Sequence, residues 1–66
     1  MRIGDSLRYQ RIAADFTQSD FADIVGISRA VYNRIEMNRY FPSWETLVRI
    51  AKVLGITVSE LVKDVG

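Results

Sequence analysis

The sequence contains neither cysteine nor histidine. Their absence excludes disulfide cross-links and the cysteine–histidine zinc clusters that stabilise many small domains. It also removes the thiol nucleophile and the imidazole base on which many enzymes depend. The carboxylates and arginines that remain fall at helix ends and on helix faces, without the pattern of a catalytic pocket. We therefore expect no enzyme, no metal site and no cofactor.

Long apolar runs are also absent. No stretch of about 18 apolar residues could span a bilayer, and the N-terminus lacks the apolar segment of a secretory signal. We therefore expect a soluble, cytoplasmic protein without a membrane partner. The formal net charge is only +1 and the pI is about 8.1, too small a basic excess to indicate nucleic-acid binding by itself. The positions of the charged residues must therefore decide whether nucleic-acid binding is expected.

Most of the 66 residues belong to stretches in which apolar side chains recur at helical spacing or in which residue types that cap helices occur. No linker, repeat or low-complexity segment interrupts them, which predicts one domain over residues 1–66. Spacing and caps together predict five helices. These are Ile3–Ala14, Gln18–Val25, a helix that begins after Ser28 and ends at Asn38, a helix between Ser43 and Gly55, and a short helix that starts with the capping box Thr57–Glu60.

The apolar positions of these helices predict the core. The first helix should bury Ile3, Leu7 and Ala14. The side chains expected to hold the second and third helices together are Phe21, Ile24, Val25, Ile27, Tyr32 and Ile35. The fourth helix should bury Trp44, Leu47, Ile50, Ala51 and Leu54.

The segment from Gln18 to Met37 has the features of two short helices joined by a tight turn. Ala22 is small enough for a second helix to cross closely, and Gly26 tolerates the positive φ that the turn requires. This segment resembles the helix-turn-helix of the Cro and phage-repressor family, also called the XRE family, and the resemblance extends from Ile3 to Val62. It implies an all-α, compact five-helix lambda-repressor-like DNA-binding domain whose helix-turn-helix is formed by helices 2 and 3.

The outward side of helix 3 carries the side chains suited to reading DNA. A helix fits the major groove, where Arg can bind guanine, Asn can bind adenine and Ala can contact a thymine methyl. The resemblance implies base contacts from the start of helix 3 and from one turn later. The candidates are Ser28, Arg29, Ala30, Asn33 and Arg34. The alternative is a solvated helix face, with Ser28 occupied as the N-cap.

Phosphate contacts are expected at two places. Gln18 opens helix 2, where backbone N–H groups favour phosphate, and Arg39 and Tyr40 follow helix 3. Between Ile27 and Phe41 the chain has a surplus of two positive charges, as docking on DNA requires. The alternative for Arg39 and Tyr40 is a solvated loop.

The resemblance also implies a structural salt bridge between Arg11 of helix 1 and Glu36 at the end of helix 3. The alternative for Arg11 is an aliphatic stem lying along apolar surface with its charged head in solvent.

Helix 5 carries an apolar stripe longer than a small core obviously needs. The stripe consists of Val58, Leu61, Val62 and Val65. Either it closes the core or it faces a partner, and we take it as the candidate dimer interface.

The sequence thus favours a sequence-specific DNA-binding regulator, acting as a repressor and as a homodimer on a palindromic operator. Double-stranded DNA is the expected partner, and no small-molecule ligand is expected. One alternative is the antitoxin of a toxin–antitoxin pair that represses its own promoter. Another is a protein-interaction module that uses the helix 5 stripe.

Overall fold

The computed structural model describes residues 1–66 as five helices without a strand. They are α1 (Ile3–Ala13), α2 (Gln18–Val25), α3 (Arg29–Glu36), α4 (Trp44–Leu54) and α5 (Val58–Val62). The predicted all-α fold is confirmed. None of the helices is both long enough and apolar enough to cross a membrane.

Side-chain caps begin four of the five helices. The hydroxyls of Thr17, Ser28, Ser43 and Thr57 each accept a backbone N–H from three residues further on, at 3.0, 3.1, 3.2 and 3.0 Å. Thr57 belongs to a full capping box, because the Glu60 carboxylate also accepts the Thr57 backbone N–H at 3.3 Å. These caps satisfy N–H groups that have no partner inside the helix. The helix starts are therefore encoded locally.

Left-handed residues follow the first four helices. Gly26 and Gly55 have φ of 88° and 71°, and Asp15 and Asn38 have φ of 65° and 61°. The residue after each of these two non-glycine residues donates a hydrogen bond to the preceding helix. The Phe16 N–H donates to the Arg11 carbonyl at 3.1 Å, and the Arg39 N–H donates to the Arg34 carbonyl at 2.9 Å. Asp and Asn tolerate this conformation better than other non-glycine residues. Asn38 was predicted to end its helix.

The core lies where α2, α3 and α4 meet α1 and α5. An aromatic series runs through it, because the ring centroids of Phe16 and Phe21, and of Phe21 and Tyr32, are each 5.3 Å apart in tilted or edge-on geometry. Such pairs add to the stabilisation that apolar burial gives. The buried apolar side chains are Ile3, Leu7, Phe21, Ala22, Val25, Tyr32, Ile35, Leu47, Ile50, Ala51 and Leu61.

Three predicted core residues are exposed, and their prediction was wrong. Ala14 follows the last residue of α1 and lies at the surface. Ile24 is 56% exposed because α2 buries Phe21, Ala22 and Val25, and Ile24 points away from their common side. Trp44 is 69% exposed. It is the first residue of α4, one turn before the buried Leu47.

The helix 5 stripe closes the core of its own chain. Leu61 is only 1% exposed, while Val58, Val62 and Val65 are half-buried and pack against the core. The Ser6 hydroxyl donates to the Leu61 carbonyl at 2.8 Å and ties α5 to α1. Leu61 is therefore corrected from a dimer-interface candidate to a core residue.

An unpredicted close contact joins the start of α1 to the end of α3. A Cβ added to Gly4 would lie 2.5 Å from the carbonyl oxygens of both Ile35 and Glu36. The Gly4 N–H donates to the Asn38 Oδ1 at 2.8 Å, and Asn38 Nδ2 lies 3.4 Å from the Asp5 carboxylate. Glycine is thus required here for close packing. Its φ is not in the left-handed region.

We predict that Gly4→Ala destabilises the protein. In an exposed helix the same change would stabilise by about 0.5–1 kcal/mol. Here the methyl group meets backbone that cannot move independently, and overpacking of this kind costs about 1–3 kcal/mol. Urea unfolding of Gly4→Ala beside the exposed control Arg8→Ala measures the difference. A Gly4→Ala variant as stable as the wild type would contradict the close contact.

Candidate nucleic-acid interface

One side of α3 faces the core and the other faces solvent. Tyr32, Ile35 and Glu36 are buried, and Val31 is half-buried beside them. The opposite side carries three of the predicted base-contact residues, Arg29, Ala30 and Arg34, all exposed, and a fourth, Asn33, which is half-buried. The division between core and outward residues follows the 100° helical repeat.

The remaining predicted contact residues flank this helix. Ser28 is exposed, and its hydroxyl accepts the Val31 N–H, so it caps α3 while its own O–H stays available as a donor. Gln18 is the first residue of α2 and is half-buried. Arg39 and Tyr40 are exposed in the segment after α3.

Arg11 and Glu36 form a two-point ion pair beneath this surface. Arg11 Nε lies 2.6 Å from Glu36 Oε2, and Arg11 Nη2 lies 3.2 Å from Glu36 Oε1. The third nitrogen, Nη1, donates to the Phe16 carbonyl at 2.7 Å. The two side chains are only 11% and 4% exposed. The guanidinium therefore joins α1, the α1–α2 connection and α3.

The Glu36 carboxylate stays ionised in this buried position. Burial alone would raise its pKa, but the hydrogen bonds that Arg11 and Gln18 donate outweigh burial and lower the pKa below its ordinary value of 4.5. The hydrogen bond with Glu36 likewise raises the pKa of Arg11. Burial, and then the adjacent Glu36 carboxylate, raises the pKa of Tyr32, whose hydroxyl has no hydrogen-bond partner.

Two predicted DNA-contact residues also contact each other through their amides. Gln18 Nε2 donates to Glu36 Oε1 at 3.0 Å, and Asn33 Nδ2 makes a longer contact with Gln18 Oε1 at 3.5 Å. Sequence reasoning placed Gln18 and Asn33 on the surface separately and missed this connection. The connection depends on how α2 crosses α3, and no local pattern reports that crossing.

The outward surface is more basic than the sequence count indicated. Arg29, Arg34 and Arg39 form no ion pair, whereas Glu36, the one acid between Ile27 and Phe41, is held by Arg11. Three uncompensated positive charges therefore lie on and after α3. The other ion pair of the structure joins Glu45 and Arg49, four residues apart, at 2.7 Å in an exposed position of α4.

The sequence matches a family described as Helix-turn-helix over residues 7–61. It is 41% identical over 61 residues to the cryptic phage CTXphi transcriptional repressor RstR of Vibrio cholerae serotype O1, an alignment that covers 92% of this chain and 54% of the relative. The chain spans about half the length of the first relatives that it matches.

Solved structures agree with this fold. The structure superposes on the DNA-binding domain of the P22 c2 repressor with a TM-score of 0.90 at 24% identity, covering 96% of this chain and 83% of that one. It superposes on SinR, a master regulator for biofilm formation solved in complex with DNA, with a TM-score of 0.85 at 26% identity, covering 91% and 97%.

We predict that acid weakens the fold through Glu36. Because the folded-state pKa of Glu36 lies below 4.5, the stability it contributes is complete above that pH and is lost as the pH falls toward the folded value. Urea unfolding from neutral pH down to about 3 measures this loss. The control Glu45→Gln, which removes the exposed pair, should retain it. A carbon-detected NMR titration in which Glu36 protonates at or above pH 4.5 would contradict the prediction.

Proposed function

The chain belongs to the helix-turn-helix family, and we propose that it is a cytoplasmic, sequence-specific DNA-binding regulator of transcription whose residues 1–66 form one DNA-binding domain. The observation that carries the proposal is the outward side of α3, where Arg29 and Arg34, which form no ion pair, accompany Ala30 and Asn33. Its activity is binding: α3 enters the major groove while α2 lies across the DNA backbone.

Each outward residue has a chemical role in this arrangement. Arg29 and Arg34 can each donate two hydrogen bonds to the O6 and N7 of guanine, and Asn33 can donate and accept at adenine. The Ala30 methyl can contact the thymine methyl group, and the free O–H of Ser28 can donate to a base edge. These contacts would determine the preferred sequence.

The flanking residues would fix the position of the domain on DNA. Gln18 lies at the N-terminal end of α2, where backbone N–H groups and a side-chain amide favour phosphate. Arg39 and Tyr40 follow the C-terminal end of α3 and are exposed to solvent. Contacts from both ends of the motif would orient α3 without reading sequence.

We further propose that the protein binds a palindromic operator as a homodimer and represses by occupying the promoter. One copy extends at most 25 Å, whereas two half-sites in successive major grooves are about 34 Å apart. One copy therefore covers one half-site, and its few phosphate contacts would bind weakly and with strong salt dependence. The similar RstR is a transcriptional repressor, which favours repression.

The exposed aromatic residues from the end of the α3–α4 connection to the first residue of α4 are the better candidate for the contact between two copies. Tyr40, Phe41 and Trp44 are 50%, 61% and 69% exposed. Val65 joins Tyr40 and Phe41 around an open cavity of about 270 Å³. Because Leu61 is occupied in the core, only the half-buried valines of the helix 5 stripe, Val58, Val62 and Val65, can contribute to this contact.

Selection from random-sequence DNA at low salt tests DNA reading, and we predict different outcomes for two arginines. Arg34→Ala should cost about 1–3 kcal/mol on the selected site and relax its sequence choice, as loss of a base contact does. Arg39→Ala should weaken all sequences alike and lower the salt slope by about one unit. The exposed Arg8→Ala on α1 is the matched control. Failure of the wild type to enrich any site would sink the proposal.

For the homodimer, we predict that Phe41→Ser and Trp44→Ser convert the complex on a palindromic site from two copies to one. Both side chains are largely exposed, so removing them should spare the fold while removing apolar contact area. Sedimentation of the DNA complex gives the stoichiometry. Ile12→Ser, which changes an equally exposed apolar residue on α1, should leave two copies bound. Two copies bound by both aromatic variants would place the dimer contact elsewhere.

A further inference from the structure

A chain of polar contacts connects the buried ion pair to the DNA-facing side of α3. Glu36 Oε1 accepts from Arg11 Nη2 at 3.2 Å and from Gln18 Nε2 at 3.0 Å. An ionised carboxylate can only accept hydrogen bonds. The Gln18 amide must therefore turn its nitrogen toward Glu36, although either orientation would be open to a free glutamine.

The orientation of Gln18 in turn restricts Asn33. With Nε2 on Glu36, the Gln18 Oε1 points the other way and lies 3.5 Å from Asn33 Nδ2. The opposite orientation of Asn33 would place two carbonyl oxygens against each other, because Gln18 Oε1 can only accept. Asn33 is half-buried, with its amide beside that of Gln18. The acceptor-only carboxylate thus sets the orientation of two successive amides.

The hydrogen-bonding groups of Asn33 that do not contact Gln18 match the groups on the major-groove edge of adenine. One Asn33 N–H is directed to Gln18, and the second N–H and the carbonyl Oδ1 remain available. Adenine presents one donor, N6–H, and one acceptor, N7, on its major-groove edge. A fixed amide can meet both at once in only one orientation, whereas a freely rotating amide discriminates less.

We propose that Glu36 and Gln18 are positioning residues that hold the Asn33 amide in the orientation that reads adenine. The inference rests on the proposed DNA-binding function and adds a source of specificity to it. The preference for adenine at one base pair then depends on the buried Glu36 carboxylate, which can only accept hydrogen bonds. Gln18 consequently has two roles, one toward phosphate and one toward Asn33.

The test compares Gln18→Ala, Asn33→Ala and the double variant with the wild type by random-sequence DNA selection. A bidentate contact to a base discriminates by about fivefold to 150-fold. Asn33→Ala should abolish the preference at one base pair. Gln18→Ala should reduce the preference at that same pair by about threefold or more, and the double variant should lose no more there than Asn33→Ala.

Two controls separate positioning from the loss of a phosphate contact. Ser19→Ala changes an exposed neighbour on α2 outside the polar chain and should keep the wild-type preference. Arg39→Ala should weaken all sites equally. If Gln18→Ala only weakens all sites by one common factor and leaves the preference at the Asn33 base pair unchanged, Gln18 acts on phosphate alone and the positioning role is overturned. If the wild type enriches no site, the DNA-binding function fails and this inference fails with it.

A measurement without DNA checks the same contact. The side-chain amide signals of Asn33 in a nitrogen–proton NMR spectrum should shift in Gln18→Ala and stay in place in Ser19→Ala. Unchanged Asn33 signals in a folded Gln18→Ala variant would show that the two amides do not interact, and would overturn the inference.

Discussion

The buried pair between Arg11 and Glu36 connects α1, the α1–α2 connection and α3. Its guanidinium contacts α3 through two nitrogens and the α1–α2 connection through the third. Removal of one partner from a buried pair costs about 3–5 kcal/mol, because the other charge is left without compensation. A core of this size rarely supplies more than about that amount. The pair therefore constrains how α1, α2 and α3 are arranged.

The same pair shapes the surface proposed to bind DNA. Because Arg11 compensates Glu36, the exposed arginines on and after α3 have no acid competing for them. Gln18 extends the hydrogen bonding from the carboxylate to Asn33 on the outward side. The close crossing at Gly4 and the Asn38 side chain also hold the C-terminal end of α3 against α1. This end of the helix is thus fixed on its inner side, while the outer side of α3 stays open.

Local chemistry made much of the fold predictable. Thr17, Ser28, Ser43 and Thr57 cap helices and Asn38 ends one, and each acts on groups within a few residues of itself. Helical spacing identified the inner and outer sides of α3, because this spacing is also set by residues close together in the sequence. Spacing failed for Trp44 and Ile24, since it reports which residues share a side and not where a neighbouring helix stops covering that side. Gly4 and the Gln18–Asn33 contact depend on helix crossings, and the resemblance to a known family, rather than spacing, indicated the Arg11–Glu36 pair.

Chemical-shift mapping with a short DNA duplex at low salt measures whether the outward side of α3 is the surface that binds DNA. Backbone and side-chain signals would be followed as duplex is added to the wild-type protein. We predict that the largest changes fall at Gln18 and from Ser28 to Tyr40, while α1 residues such as Tyr9 and Ile12 change little. Changes concentrated on Tyr9 and Ile12, with α3 unaffected, would contradict the account.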